Sequence, residues 1–81
     1  MRVSVCFYSY FKELTGCAQW TGELPEGSTI ADLLQKTFAQ FPGLEPMKNS
    51  MLVAVGVEYA SRDCELKSGD EVSLFPPVQG G

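Results

Sequence analysis

The chain has 81 residues, of which 44% are hydrophobic and 20% charged, and its formal net charge at neutral pH is −4. This length supports one domain with one core, and the composition is that of a globular protein, which argues against a disordered chain. Nucleic-acid binding needs clustered lysine and arginine, whereas the six basic residues here are scattered. An acidic protein of this size is better suited to docking on a basic protein partner.

The cysteines argue against a metal site. Cys6, Cys17 and Cys64 are odd in number and widely spaced, and the chain has no histidine. We therefore expect no bound metal and buried, reduced thiols that act as small hydrophobic side chains, which favours a reducing cytoplasm. The first residues lack the layout of a signal peptide, and no apolar run approaches the roughly 18 residues of a membrane span.

The first elements are two strands with a short segment between them. Val3, Val5 and Phe7 alternate with more polar residues, and this period of two predicts a half-buried strand. The segment YFKELTG then predicts a turn or a short helical piece closed by Gly16. A second strand is predicted over CAQWTGEL, and the segment PEGS interrupts it.

The most clearly defined element is a helix within TIADLLQKTFAQFPG. Thr29 is the expected N-cap, Asp32 is placed to return a capping bond, and Pro42 with Gly43 ends the helix. Five apolar residues recur at helical spacing and form one face. They are Ile30, Leu33, Leu34, Phe38 and Phe41.

The rest of the chain predicts a loop and three more strand segments. LEPMKNS is a looser stretch, MLVAVGVEYA predicts a third strand with a tight turn at Gly56 and a short strand, and EVSLFP predicts the last strand. One long helix on a mixed sheet gives a two-layer α+β class, and this element order is that of a ubiquitin-like β-grasp. We expect residues 1–75 to form this domain, with the first and last strands in central positions, and residues 76–81 to form an extended tail.

The ending SLFPPVQGG has its own chemistry. The pair Pro76–Pro77 cannot donate ladder hydrogen bonds, so it should end the strand and hold the chain extended. Val78 and Gln79 have side chains that a partner could contact, and Gly80–Gly81 narrow the tail to the width of the backbone. Such a tail could deliver its carboxylate into another protein's active site. That carboxylate is ionised at neutral pH and needs activation, such as adenylation, before it can react.

Two patches carry a resemblance to a known family. The ending GDEVSLFPPVQGG and the segment YFKELTG closely resemble the small subunit of molybdopterin synthase, the MoaD family of ubiquitin-like sulfur carriers. The FPP-x-x-GG ending is the more specific of the two, and the resemblance covers the whole chain in length and element order. The chain departs from the family at Gly56, where relatives commonly carry Asn, and both residues tolerate a left-handed backbone.

The resemblance implies a sulfur carrier of molybdenum cofactor biosynthesis. Gly81 would be adenylated and converted to a thiocarboxylate, and slim Gly80 would let it enter the partner and give its sulfur to precursor Z (cyclic pyranopterin monophosphate). The implied partners are a MoaE-like large subunit, in a heterotetramer, an E1-like (MoeB-like) adenylating enzyme that uses ATP, and a sulfur-donor enzyme. The chain itself would bind no cofactor and would be part of an enzyme only in that complex, without a catalytic side chain of its own.

Strand parity predicts a docking face. If Val3, Val5 and Phe7 face the helix, then Tyr8 lies on the uncovered side of the sheet, and Phe75 lies there by the same argument in the last strand. Tyr59 could join them, and an exposed aromatic patch suggests an interface.

The resemblance assigns partner contacts to the residues of this face. They are Tyr8, Tyr59 and Phe75, together with the tail residues Pro76, Pro77, Val78 and Gln79. It also gives Lys12 a basic position that could pair with a partner's acid, although a solvated surface lysine is the simpler interpretation.

Three other functions fit the same features. One is a different sulfur carrier on the same fold, of the thiamine-thiazole (ThiS) type or serving tRNA thiolation or cysteine synthesis. Another is a ubiquitin-like modifier whose glycine forms isopeptide bonds with lysines. The third is an interaction module whose tail is never activated.

Overall fold

The computed structural model describes residues 1–77, which form a five-stranded mixed sheet with the long helix packed on one face. The strands are β1 (Arg2–Phe7), β2 (Gln19–Glu23), β3 (Leu52–Val55), β4 (Glu58–Tyr59) and β5 (Glu71–Phe75). The helices are α1 (Phe11–Thr15) and α2 (Ile30–Gln40), followed by a 3₁₀ helix over Pro42–Met47.

The strand order across the sheet is β2-β1-β5-β3-β4. The central pair, β1 with β5, is parallel, and each of the other neighbouring pairs is antiparallel. The first and last strands therefore lie inside the sheet, as their apolar pattern predicts. The ubiquitin-like β-grasp class is confirmed, with α1 and the 3₁₀ helix as short additions to the one long helix.

The core lies between the sheet and α2. Val3, Val5 and Phe7 are almost completely buried, and they pack in one cluster with Ile30 and Leu33 of the helix. Because side chains alternate along a strand, burial of these three residues turns the residues between them to the opposite side of the sheet. The predicted parity of β1 is confirmed.

Helix α2 begins and ends where the sequence predicts. The Thr29 hydroxyl accepts a hydrogen bond from the Asp32 amide at 3.4 Å, and the Asp32 carboxylate accepts one from the Thr29 amide at 2.9 Å. This reciprocal pair satisfies two amides that the first turn of a helix leaves without partners. The helix ends at Gln40, two residues before Pro42.

Two expectations need correction. The stretch after the helix is not a plain loop, because a 3₁₀ helix covers Pro42–Met47, with proline at its first position where no donated bond is needed. The thiols of Cys6, Cys17 and Cys64 are free but only partly buried. Two of them pack at the margin of the core, and Cys6 lies outside it, since β1 turns that residue away from the helix.

No helix within residues 1–77 is both long enough and apolar enough to cross a lipid bilayer.

Candidate docking face and tail exit

The side of the sheet opposite α2, here called the open face, carries an apolar patch. Residues paired directly across neighbouring strands place their side chains on the same face. Leu52 pairs with Phe75 across β3 and β5, and Tyr59 pairs with Ala54 across β4 and β3. Ala54 in turn pairs with Ser73, which alternates with core residues along β5. We call Tyr8, Leu52, Tyr59 and Phe75 the open-face patch.

Two aromatic rings form the centre of this patch. The rings of Tyr8 and Phe75 are stacked nearly parallel, with centroids 4.6 Å apart and an interplanar angle of 15°. The Tyr8 amide donates a hydrogen bond to the Leu74 carbonyl at 3.2 Å, which extends the pairing of β1 with β5 by one residue. The predicted placement of Tyr8 and Phe75 together on one face is confirmed.

The patch is accessible to a partner. Tyr8 is 41% exposed and Tyr59 is 73% exposed, whereas Phe75 is half-buried between its neighbours. Ser73 shares this face, as strand parity predicts, but it is only 5% exposed. Its short side chain lies in the central strand between Cys6 and Ala54, its paired neighbours.

The tail leaves the sheet from the patch itself. Strand β5 ends at Phe75, and Pro76 and Pro77 follow, half-buried and in no regular element. Since neither proline can donate a ladder hydrogen bond, they end the strand where the sequence predicts. The remaining predicted site residues, Val78, Gln79, Gly80 and Gly81, lie outside the described residues. The proposed division between a domain over 1–75 and a tail over 76–81 stays a prediction.

Lys12 is not among the residues of the open-face patch. It is an exposed residue of α1, and its carbonyl accepts the hydrogen bond from Gly16 that closes that helix at 2.8 Å. Gly16 has a φ of 78°, the left-handed conformation in which glycine ends helices. The predicted closure of this segment at Gly16 is confirmed, and a partner contact at Lys12 stays a prediction.

Sequence reasoning missed two apolar surface residues, Leu52 of the patch and Val57 of a turn. Leu52 lies beside Phe75, and Val57, in the turn between β3 and β4, is fully exposed. That turn depends on Gly56, whose φ of 63° is strained for other residues. The sequence carries no clear signal for Leu52, because the strand LVAV is apolar throughout and parity alone does not show which of its side chains face the helix.

The thiol of Cys6 also lies on the open face, where burial and, to a lesser extent, the negative charge of Glu71 raise its pKa above the ordinary value. A raised pKa keeps the thiol protonated at neutral pH, and the thiolate is the nucleophilic form. The arrangement is therefore that of a surface thiol on the open face, without the activation that a catalytic cysteine needs.

Two concave regions are present on the surface of the described residues, and Tyr59 of the patch lines the second. One depression of about 560 Å³ lies between α2 and the 3₁₀ helix, and another of about 510 Å³ lies beside β3 and β4. In the first, the Arg62 guanidinium donates to the carbonyls of Lys48 and Met51, which ties the loop wall together. Within residues 1–77 no three His, Cys, Asp or Glu side chains come close enough to hold a metal ion.

These features define a class of protein, a ubiquitin-like β-grasp domain whose C-terminal segment leaves from an apolar patch on the open side of its sheet. Residues 5–81 match the model of the ThiS family. The chain belongs to the ThiS family.

Known proteins similar over the whole chain include molybdopterin synthase sulfur carrier subunits. The molybdopterin synthase sulfur carrier subunit of Chlamydomonas reinhardtii is 35% identical over 83 residues, which cover all of both chains. Among solved structures, a putative molybdopterin converting factor subunit 1 from Pyrococcus furiosus is 31% identical, with a TM-score of 0.88 over 96% of this chain and 99% of that one.

A third relative was solved with a partner. The complex of subunits 1 and 2 of the molybdopterin-converting factor from Helicobacter pylori contains a chain that is 26% identical, with a TM-score of 0.72 and full coverage of both chains. The predicted resemblance to molybdopterin synthase small subunits is thereby confirmed.

Proposed function

We propose that this chain is the sulfur-carrier small subunit of molybdopterin synthase. The observation that carries the proposal is the whole-chain similarity to sulfur carrier subunits, joined to an apolar patch at the exit of the C-terminal tail. The open-face patch docks on a MoaE-like large subunit, and the tail enters the active site of that partner. The chain works in the cytoplasm and is part of an enzyme only within that complex.

The chemistry takes place at the terminal carboxylate. An E1-like, MoeB-like partner directs a Gly81 oxygen onto the α-phosphorus of ATP, which releases pyrophosphate and leaves an acyl adenylate. A sulfur-donor enzyme supplies sulfur at the oxidation level of sulfide, which attacks the acyl carbon, displaces AMP and gives the thiocarboxylate. In the large subunit this sulfur passes to cyclic pyranopterin monophosphate. The chain binds no cofactor of its own, since ATP is consumed by the activating partner.

The patch and the tail support this proposal together. A carrier must present its terminus to one enzyme after another, so the docking contacts belong next to the tail. Phe75 is at once a member of the patch and the last residue of β5. A partner seated on the patch is thus in contact with the residue from which Pro76 and Pro77 extend.

Intact-mass measurement tests the activation step. After incubation with the activating enzyme, ATP and a sulfur donor, we expect a mass increase corresponding to replacement of one oxygen by sulfur. The modified chain, mixed with the large subunit, should then support molybdopterin formation. A carrier that gains sulfur but supports thiazole synthesis in place of molybdopterin formation would contradict the pathway, and conjugates of higher mass would identify a modifier.

Labelling of Cys6 tests the docking face without reference to sulfur. We expect formation of the complex to slow alkylation of Cys6 by iodoacetamide about ten-fold, because the core of an interface excludes solvent. Alkylation should quicken as pH rises towards the raised pKa of this thiol, so the comparison is made at one fixed, mildly alkaline pH.

Cys17 serves as the internal control in the same mass spectrum. It packs at the margin of the core. Its labelling rate should not change on complex formation. Protection of Cys17 with free labelling of Cys6 would contradict docking on the open face.

A further inference from the structure

The stack of Tyr8 on Phe75 holds the last strand residue from one side. The two rings lie 4.6 Å apart, and Leu52, paired with Phe75 in β3, flanks the same residue on its other side. The hydrogen bond from the Tyr8 amide to the Leu74 carbonyl joins the two strands one residue earlier. Phe75 is therefore held by the Tyr8 ring on one side and the Leu52 side chain on the other. The hydrogen bond at Leu74 holds the strand just before it.

The orientation of Phe75 is transmitted to the chain that follows. A residue before proline is confined to extended backbone conformations, and each proline fixes its own φ near −65°. Phe75, Pro76 and Pro77 therefore form a stiff sequence of three residues. Because neither proline can donate a hydrogen bond to a neighbouring strand, the direction in which the chain leaves β5 depends on how Phe75 is held.

Tyr8 is itself held by an unusual turn. Ser9 has a φ of 56°, and it is the one non-glycine residue in the described part of the chain with a positive φ. This conformation is disfavoured for side-chain-bearing residues and persists only where the surroundings impose it. Here the Phe11 amide donates to the Tyr8 carbonyl at 3.1 Å, and fully buried Phe11 anchors α1 in the core.

Strand β1 ends at Phe7, and the turn begins directly after Tyr8. The chain bends away into α1, while the ring of Tyr8 stays over Phe75 with 41% of the residue exposed. A gradual exit from the strand would need no left-handed residue. The strained turn at Ser9 thus follows directly after Tyr8, whose ring packs against Phe75, the residue before the tail.

We propose that Tyr8 is a positioning residue, which through its stack on Phe75 fixes the direction in which the tail leaves the sheet and so sets the rate of sulfur delivery. This inference rests on the proposed function and deepens it. A residue that served docking alone would change the affinity for the large subunit. A positioning residue also changes the rate at saturation, because misplacement of a reacting group by about 1 Å can cost on the order of 100-fold.

The test separates affinity from rate. The dissociation constant of the complex is measured by calorimetry with the unmodified chain, and single-turnover sulfur transfer is measured with the thiocarboxylated chain at saturating large subunit. For Tyr8→Leu, which keeps an apolar side chain but removes the ring, we expect the saturated rate to fall at least about ten-fold. Tyr8→Phe keeps the ring and should restore both quantities to within about two-fold of wild type.

A matched control and a second variant complete the design. Tyr10→Leu makes the same change two residues away, where the ring lies edge-on against Phe11, and it should leave the rate unchanged. Phe75→Leu removes the other ring of the stack. If the stack of the two rings sets the rate, the double variant Tyr8→Leu, Phe75→Leu should be no slower than the slower single variant. Either single change already abolishes the stack, so the second change has no further effect on it.

Each result decides the inference. A wild-type saturated rate in Tyr8→Leu, or multiplicative losses in the double variant, overturns the positioning role and leaves the proposed function intact. A wild-type chain that binds the large subunit yet transfers no sulfur overturns both. Thermal unfolding of every variant is followed in parallel, and if Tyr8→Leu is unfolded at the assay temperature, Phe75→Leu with Tyr8→Phe carries the same comparison.

Discussion

Deletion of Gly81 is expected to abolish sulfur transfer while leaving the folded domain unchanged. The deletion moves the terminal carboxylate back by one residue, or about 3.5 Å in an extended chain. That displacement is several times the misplacement of about 1 Å that already costs on the order of 100-fold. Within residues 1–77 the last residue of the buried core is Leu74, so the thermal midpoint should stay within about 1 °C of wild type.

The measurement pairs intact mass after activation with molybdopterin formation in the reconstituted complex. Gly81→Ala is the matched control, since it keeps the length of the tail and adds one methyl group. If the position of the carboxylate is what matters most, this variant should retain part of the activity that the deletion loses. A chain that remains fully active without Gly81 contradicts the proposed function.

Much of the fold follows from local patterns in the sequence. The alternation of Val3, Val5 and Phe7 identified a strand with one buried side, and the pair Thr29 and Asp32 identified the start of the long helix. These features depend on residues only two to four positions apart, where the periods of strand and helix apply directly. The 3₁₀ helix was not predicted, because two prolines and a glycine within PGLEPM are typical of a loop.

The site was predictable in part. Parity placed Tyr8 and Phe75 on one face, but their stacking depends on the register of β1 against β5, which pairs residues about 67 positions apart. No local pattern contains that register. Leu52 was missed because LVAV is apolar throughout, so its sequence does not show which side chains face the helix. The strained conformation of Ser9 has no sequence signal, since serine seldom adopts a positive φ.

For the tail, the sequence is more informative than the structure. Its assignment came from composition and family resemblance, and four of its residues, Val78, Gln79, Gly80 and Gly81, lie outside the described part of the chain. What the structure adds is the surface from which the tail departs. The half-buried prolines continue directly from a strand whose last residue belongs to the open-face patch. The proposed function therefore combines a reactive carboxylate at the terminus with an apolar surface directly before the tail.

Replacement of Tyr8 by aspartate is expected to weaken binding of the large subunit by about 100-fold or more. The change removes an apolar contact and places an unpaired carboxylate in the interface, at a cost of several kcal/mol, and each 1.4 kcal/mol corresponds to a factor of ten in affinity. The free energy of unfolding of the isolated domain falls by less than the free energy of binding, because Tyr8 is 41% exposed and an aromatic pair contributes only about 0.5–1.5 kcal/mol. A fall of several degrees in the thermal midpoint is expected.

Tyr10→Asp is the control with the same change of charge. Tyr10 is 36% exposed, and its ring lies edge-on against Phe11, so this variant also loses one aromatic pair. It should therefore lose a similar amount of thermal stability but bind the large subunit as wild type does. Calorimetric titration and thermal unfolding of both variants decide the matter. If Tyr8→Asp binds normally, the open-face patch is not the docking surface, and if it fails to fold, Tyr8 belongs to the core and not to the interface.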